Sequence, residues 1–157
     1  MGIKSEKSAL RKIPDGRQTI GIALYDYNPI FQFSFVTCVR IDKVEAIRHH
    51  ILETASKYHG ISETLMMPFQ FFSNGPPTYE VQTEAQIQSV MSGVAPLFRQ
   101  RVLPFLDRYR DIATLDQGMN RDGSIPPFGN GWAMSTTILF GLSCGQSGLL
   151  RDRRPLS

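Results

Sequence analysis

The sequence predicts an α+β fold, an antiparallel sheet of about four to five strands with helices packed on one face. Phe31, Phe33, Phe35, Val39 and Ile41 occupy alternate positions, so residues 30–41 read as a strand with one aromatic face, interrupted only by Thr37. Ile20, Ile22 and Leu24 alternate just upstream. Asp26, Tyr27, Asn28 and Pro29 supply turn chemistry between the two runs, which makes them an antiparallel hairpin. Strand patterns dominate the first part of the chain and helical patterns the last. A parallel sheet would need a helix between the strands of that hairpin, and none fits.

The elements follow in order. Residues 1–7 are polar and expected to fray, and residues 8–13 read as a short edge strand turned back by Pro14, Asp15 and Gly16. After the hairpin, Asp42 with Glu45 three residues on has the pattern of a capping box, so a helix should start at Lys43. Val44, Ile47, Ile51, Ala55 and Tyr58 would form its buried stripe, with Gly60 ending it in a left-handed conformation. Residues 65–72 (LMMPFQFF) read as a strand held to an edge or bulge by Pro68, and residues 78–81 as the returning strand.

Thr83 and Gln86 form a second capping-box pattern, with Ile87, Val90, Met91 and Val94 as the buried side of the helix that follows. Gly93 and Pro96 should weaken or kink it. Pro104 opens a further helix carrying Phe105, Leu106, Tyr109 and Ile112. Residues 120–131 are loop-like, and residues 132–142 read as a buried helix, with a strand, favoured by the threonines and Ile138, as the open alternative.

Composition bounds the function. The 157 residues suit one domain spanning 1–157, with 1–7 and 146–157 expected to be flexible. A hydrophobic share of 41% with 20% charged residues is ordinary for a globular chain, and a net charge of +3 is too small to imply a nucleic-acid partner. The first residues lack the apolar core of a signal peptide, and Glu6 stands where a myristoylation motif wants Ser or Thr. No apolar run approaches the ~20 residues that span a bilayer. Cys38 and Cys144 make no disulfide framework, so the expectation is a soluble cytoplasmic protein with reduced thiols.

Several constellations invite chemistry. Gly141, Leu142, Ser143, Cys144 and Gly145 match G-x-S-x-G, but a serine nucleophile needs a histidine base, and no histidine follows Ser143. The motif therefore reads as a small-residue loop. Glu45, His49 and Glu53 recur at i, i+4 spacing on one helix face beside Ser56 and are the candidate metal ligands. They lie opposite the apolar stripe, so the competing reading is a solvated face with charge pairs, and no metal or other cofactor is expected. Cys38 reads as a packed thiol, although Arg40 shares its strand face. Arg99 and Arg110 fall on one side of a helix and Arg101 and Arg108 on the other, which splits any basic groove. Tyr25, Asp26, Tyr27 and Asn28 at the hairpin tip are the candidate partner-binding residues, since the turn geometry needs no large amphipathic rings.

Residues 103–116 (LPFLDRYRDIATLD), after a YDYNPIF-type hairpin and before a final apolar segment, resemble small uncharacterised bacterial α+β domains with a Pro-aromatic-Leu-x-x-aromatic pattern in a later helix. Some of those domains are found beside polymorphic or contact-dependent toxins, a setting that suggests an immunity role. The resemblance covers residues 8–142 and supplies no catalytic residue. It implies a non-enzymatic domain that binds another protein. The alternative is a small enzyme whose site is assembled from residues distant in sequence.

Overall fold

A computed structural model of the chain describes residues 3–127 and 132–148. Alternation and turn chemistry act as expected in the first three strands, β1 (Ile3–Ile13), β2 (Gly16–Tyr27) and β3 (Ile30–Ile41), which form an antiparallel meander. Gly16 starts β2 because a Cβ there would collide with the carbonyl of Arg40. β4 (Leu65–Pro68) and β5 (Tyr79–Val81) share the far edge of β3, on Val36–Val39 and Phe31–Phe33 respectively. The fold is α+β with a five-stranded antiparallel sheet.

Strand β1 is longer than the sequence suggests. Pairing with β2 continues to Ile3, so the stretch expected to fray is strand from that residue on. Met1, Gly2 and residues 149–157 lie outside the described residues, and 146–148 complete the last helix.

Phe33, Phe35, Val39 and Ile41 are buried and Phe31 is half-buried, which places the core on the predicted face of β3. Thr37, the polar interruption on that face, is buried too. Phe35 makes ring contacts with Phe33, Phe69, Tyr79 and Phe98, so one side chain joins two strands and two turns. Gln18 bolts the sheet to the helices, because its buried amide donates to the carbonyls of Leu106 (2.5 Å) and Tyr109 (3.2 Å).

Helix α1 (Asp42–Ile51) departs from its sequence reading. Asp42 is its first helical residue, not its cap, and its carboxylate accepts from Arg40 Nε at 2.7 Å. The helix ends at Ile51. Glu53, not Gly60, takes the left-handed conformation (φ 50°), with Thr54 N–H bonding back to the carbonyl of His49. Ala55 and Tyr58 therefore leave the stripe and are exposed, as is Ile51. The buried side consists of Val44, Glu45 and His49. A periodicity count assumes a helix that runs on to Tyr58, and this one stops two turns earlier.

Residues 65–72 are strand only to Pro68 and then a 3₁₀ turn (Phe69–Phe71) that lays Phe69 against Phe98 with ring centroids 5.2 Å apart. Helix α2 (Glu84–Leu97) begins at the predicted capping box of Thr83 and Gln86. It runs through Gly93 and Pro96 into a π turn (Phe98–Val102) and on into α3 (Leu103–Arg108). Of its expected apolar stripe only Val94 is fully buried, Val90 is half-buried, and Ile87 and Met91 are exposed.

Helix α4 (Ile112–Asp116) is capped by Asp111, whose carboxylate accepts from Thr114 N–H at 2.9 Å, and continues into a π turn (Gln117–Arg121). Gly118 in that turn faces Tyr109 and Ile125 so closely that a Cβ would lie 2.6 Å from the tyrosine ring. The expected loop of 120–131 thus starts inside a helical turn, and 128–131 lie outside the described residues. Helix α5 (Trp132–Gly148) confirms the helical reading of 132–142 and extends it, burying Ile138 and Leu139.

Candidate functional site

A buried polar cluster joins α1 to the segment that leads into β4. Glu45 is completely buried. One carboxylate oxygen accepts from the Thr64 hydroxyl (2.9 Å), which itself accepts from Ile41 N–H (2.9 Å), and the other pairs with Arg48 at 2.6 Å. A carboxylate in such a place is tolerable only with these partners. Three guanidinium groups clamp the same segment. Arg40 donates to both oxygens of Ser62, Arg48 to the carbonyl of Glu63, and Arg17 to the Glu63 carboxylate. Burial raises the pKa of Glu63 against the opposing hydrogen bond from Arg17.

His49 lies one turn beyond Glu45 and is nearly buried. Its Nε2 is 2.7 Å from Ser62 Oγ and 3.9 Å from the Glu45 carboxylate, while Nδ1 is buried without a hydrogen bond. His59 covers it in a face-to-face stack, with centroids 4.2 Å apart and planes 13° from parallel. Because His59 Nε2 meets the Thr54 carbonyl at 2.7 Å, that nitrogen carries a proton. Ser62 Oγ accepts from Arg40 and shares a second hydrogen bond with His49 Nε2, whose direction follows the imidazole tautomer. Burial and then the neighbouring His59 lower the His49 pKa, with Glu45 opposing, which keeps the ring neutral near pH 7.

His49 and Ser62 line a hollow of about 640 Å³ whose walls are Leu52, Tyr58, Ile61 and Met134. Leu52, Tyr58 and Ile61 are 55%, 47% and 69% exposed, and Ile51 beside them is 57% exposed. The hollow therefore has a polar floor and an open apolar rim.

Of the candidate ligand trio, the structure brings together Glu45 and His49 and separates Glu53, which leaves the helix and is exposed. Glu45 and His49, which periodicity turned toward water, are buried alongside Val44, because Ser62 and Thr64 come from elsewhere in the chain to satisfy them. His59, at no ligand spacing in the sequence, is the residue that stacks on His49. Ser62 and Thr64 carried no local signal, whereas Glu45 with Arg48 has the i, i+3 spacing of a helical charge pair and forms it. Among the described residues, no group of three or more His, Cys, Asp or Glu is placed to hold a metal ion.

The remaining candidates lie elsewhere. At the hairpin tip, Tyr25 is half-buried and Tyr27 exposed, with rings stacked 6.4 Å apart, and the Asp26 carboxylate accepts from Asn28 N–H. The tip is at the opposite end of β3 from α1, roughly 36 Å away along the strand. Ser143 is inside α5, not in a loop, and its hydroxyl bonds the buried carboxylate of Asp116. Burial opposes ionisation of Asp116, but hydrogen bonds from Asn120, Arg121 and Ser143 outweigh it and hold the pKa below the usual carboxylate range. Cys38 is buried in β3, and Arg40 beside it is engaged with Asp42 and Ser62.

Among the described residues, no helix is long and apolar enough to cross a membrane. Comparison with protein-family models, with curated proteins and with solved structures found no match.

Proposed function

We propose that this chain is a non-enzymatic cytoplasmic binding domain that docks a protein partner on the hollow beside α1. The observation that carries this reading is the rim. Leu52, Tyr58 and Ile61 stand exposed around one depression, and a contiguous apolar patch with polar surroundings is the usual mark of a protein interface. A polar floor held by Arg40, Arg48 and Glu45 would fix the orientation of what the rim binds. The resemblance to immunity-type domains suggests the partner class, a bacterial toxin domain. The hairpin tip, with one tyrosine half-buried against the other, is the lesser candidate surface.

The test is a comparison of proteins retained by the immobilised wild-type chain and by an Ile61→Asp variant with an unchanged circular-dichroism melt. Retention of a discrete protein that drops at least tenfold with the variant supports the reading. Equal retention by both removes the hollow as the surface.

A specific observation also favours the enzyme alternative. Ser62 Oγ lies 2.7 Å from Nε2 of a neutral His49, the spacing of a nucleophile and its base. The third member is misplaced, however, because Glu45 approaches the same nitrogen, Nε2, and Nδ1 has no acceptor to orient the ring. Covalent labelling of Ser62 by a fluorophosphonate probe would establish that alternative.

A further inference from the structure

The apolar stripe of α2 predicts burial that the chain does not provide, and what lies beside it points to an occupant. Ile87 and Met91 are 41% and 39% exposed, although their spacing with Val90 and Val94 is that of a core-facing helix side. Two hollows continue along the same rod. One, of about 460 Å³, lies between α2 and the loop that precedes β5 and is walled by Pro76, Tyr79, Val90 and Leu97. The other, of about 360 Å³, lies between Phe71–Phe72 and α3 and is walled by Phe105 and Tyr109.

Arg101 lines both. It belongs to the π turn that joins α2 to α3, and its guanidinium holds only the carbonyl of Phe72, at 3.1 Å. Among the described residues no carboxylate pairs with it, and no Asp or Glu lines either hollow. Nearby acids are used elsewhere: Asp107 pairs with Arg11 at 2.7 Å, and Asp122 with Arg108 at 3.3 Å. A guanidinium without a counter-charge between two hollows with apolar walls and uncharged or basic polar edges is complementary to a carboxylate flanked by apolar side chains.

We infer that the α2–α3 groove binds an extended acidic–apolar segment of a partner protein, with one carboxylate on Arg101 and a large apolar side chain in each hollow. Nucleic acid fits less well. Of the described arginines and lysines, Arg101 and Arg108 alone line the two hollows, whereas a phosphate chain needs a row of cations. This surface is separate from the hollow beside α1, so the two stand or fall independently.

The experiment is a nitrogen-15 chemical-shift titration with the peptide acetyl-Gly-Phe-Ser-Asp-Ser-Leu-Gly-amide. Support is a saturable set of shifts confined to residues 71–79 and 87–109. The affinity should fall at least fivefold when the peptide's Asp is replaced by Asn, at least tenfold in Arg101→Glu, and not at all in Ile61→Asp. Saturable shifts outside the groove, or none at millimolar peptide, overturn the inference. Tighter binding of a ten-residue oligothymidylate in the same groove also overturns it, as does dimerisation of the wild-type chain that Met91→Glu abolishes.

Discussion

His49 and His59 lie face to face, 4.2 Å apart, with His49 almost sealed from water and lacking any hydrogen bond at Nδ1. A proton on His49 would be buried beside a second titratable ring and near Arg40 and Arg48, with only Glu45 to favour it.

The pH dependence follows from that arrangement. The folded-state pKa of His49 is below its unfolded value of 6.5, so the unfolded chain binds the proton first. Its stabilising effect is fully present above pH 6.5 and is lost as pH falls toward the lowered value. Glu63, with a raised pKa, has the opposite sign: it stabilises below 4.5 and loses that contribution as pH rises through its folded value. Melting temperatures of wild type and His49→Gln between pH 8 and 5 separate the two. The wild-type curve should fall more steeply below pH 6.5, and parallel curves would show that His49 does not titrate as described.

Removing the one hydroxyl that satisfies Glu45 should be costly. Thr64→Val leaves a buried carboxylate oxygen without its donor and the Ile41 N–H without its acceptor, a loss of about 1–3 kcal/mol. Denaturant unfolding measures it, and a change under about 0.5 kcal/mol would mean that another group takes over.

The aromatic face of β3 gives a graded test. Phe35→Ala should destabilise by about 3–5 kcal/mol, and Phe33→Ala by nearly as much. Phe31→Ala should cost clearly less, since its side chain is only half-buried. Equal losses at all three positions would contradict the burial gradient along the strand.

Much of the fold was legible because its determinants are local. Alternation from Phe31 to Ile41 identifies the core face, and Thr83 with Gln86 marks the start of α2. The same local pattern at Asp42 and Glu45 misleads. Glu45 is claimed by Thr64, nineteen residues further on, and Asp42 by Arg40, so neither is left to cap the helix. The candidate site depends wholly on such distant partners. Glu45 and His49 could be picked out as a pair on one helix face, but nothing in the sequence announces that His59 will cover them or that Ser62 will come within hydrogen-bond distance. Ile87 and Met91 fail differently, because their spacing is that of a buried stripe and no element of the described chain covers them.

Ser143→Ala should remove one hydrogen bond to Asp116 and cost about 1 kcal/mol, with Asn120 and Arg121 still in place. The wild-type serine should not be labelled by a fluorophosphonate probe, since it is part of a helix and serves a carboxylate. Labelling at Ser143 would restore the nucleophile reading.

The most direct measurement of the docking surface is site-specific photo-crosslinking in living cells, with benzoylphenylalanine placed at position 61 in the rim of the hollow and, separately, at position 27 in the hairpin tip. The account predicts one dominant protein adduct from position 61 and a much weaker one, or none, from position 27. An adduct from position 27 alone would contradict it and return the contact surface to Tyr25, Asp26, Tyr27 and Asn28.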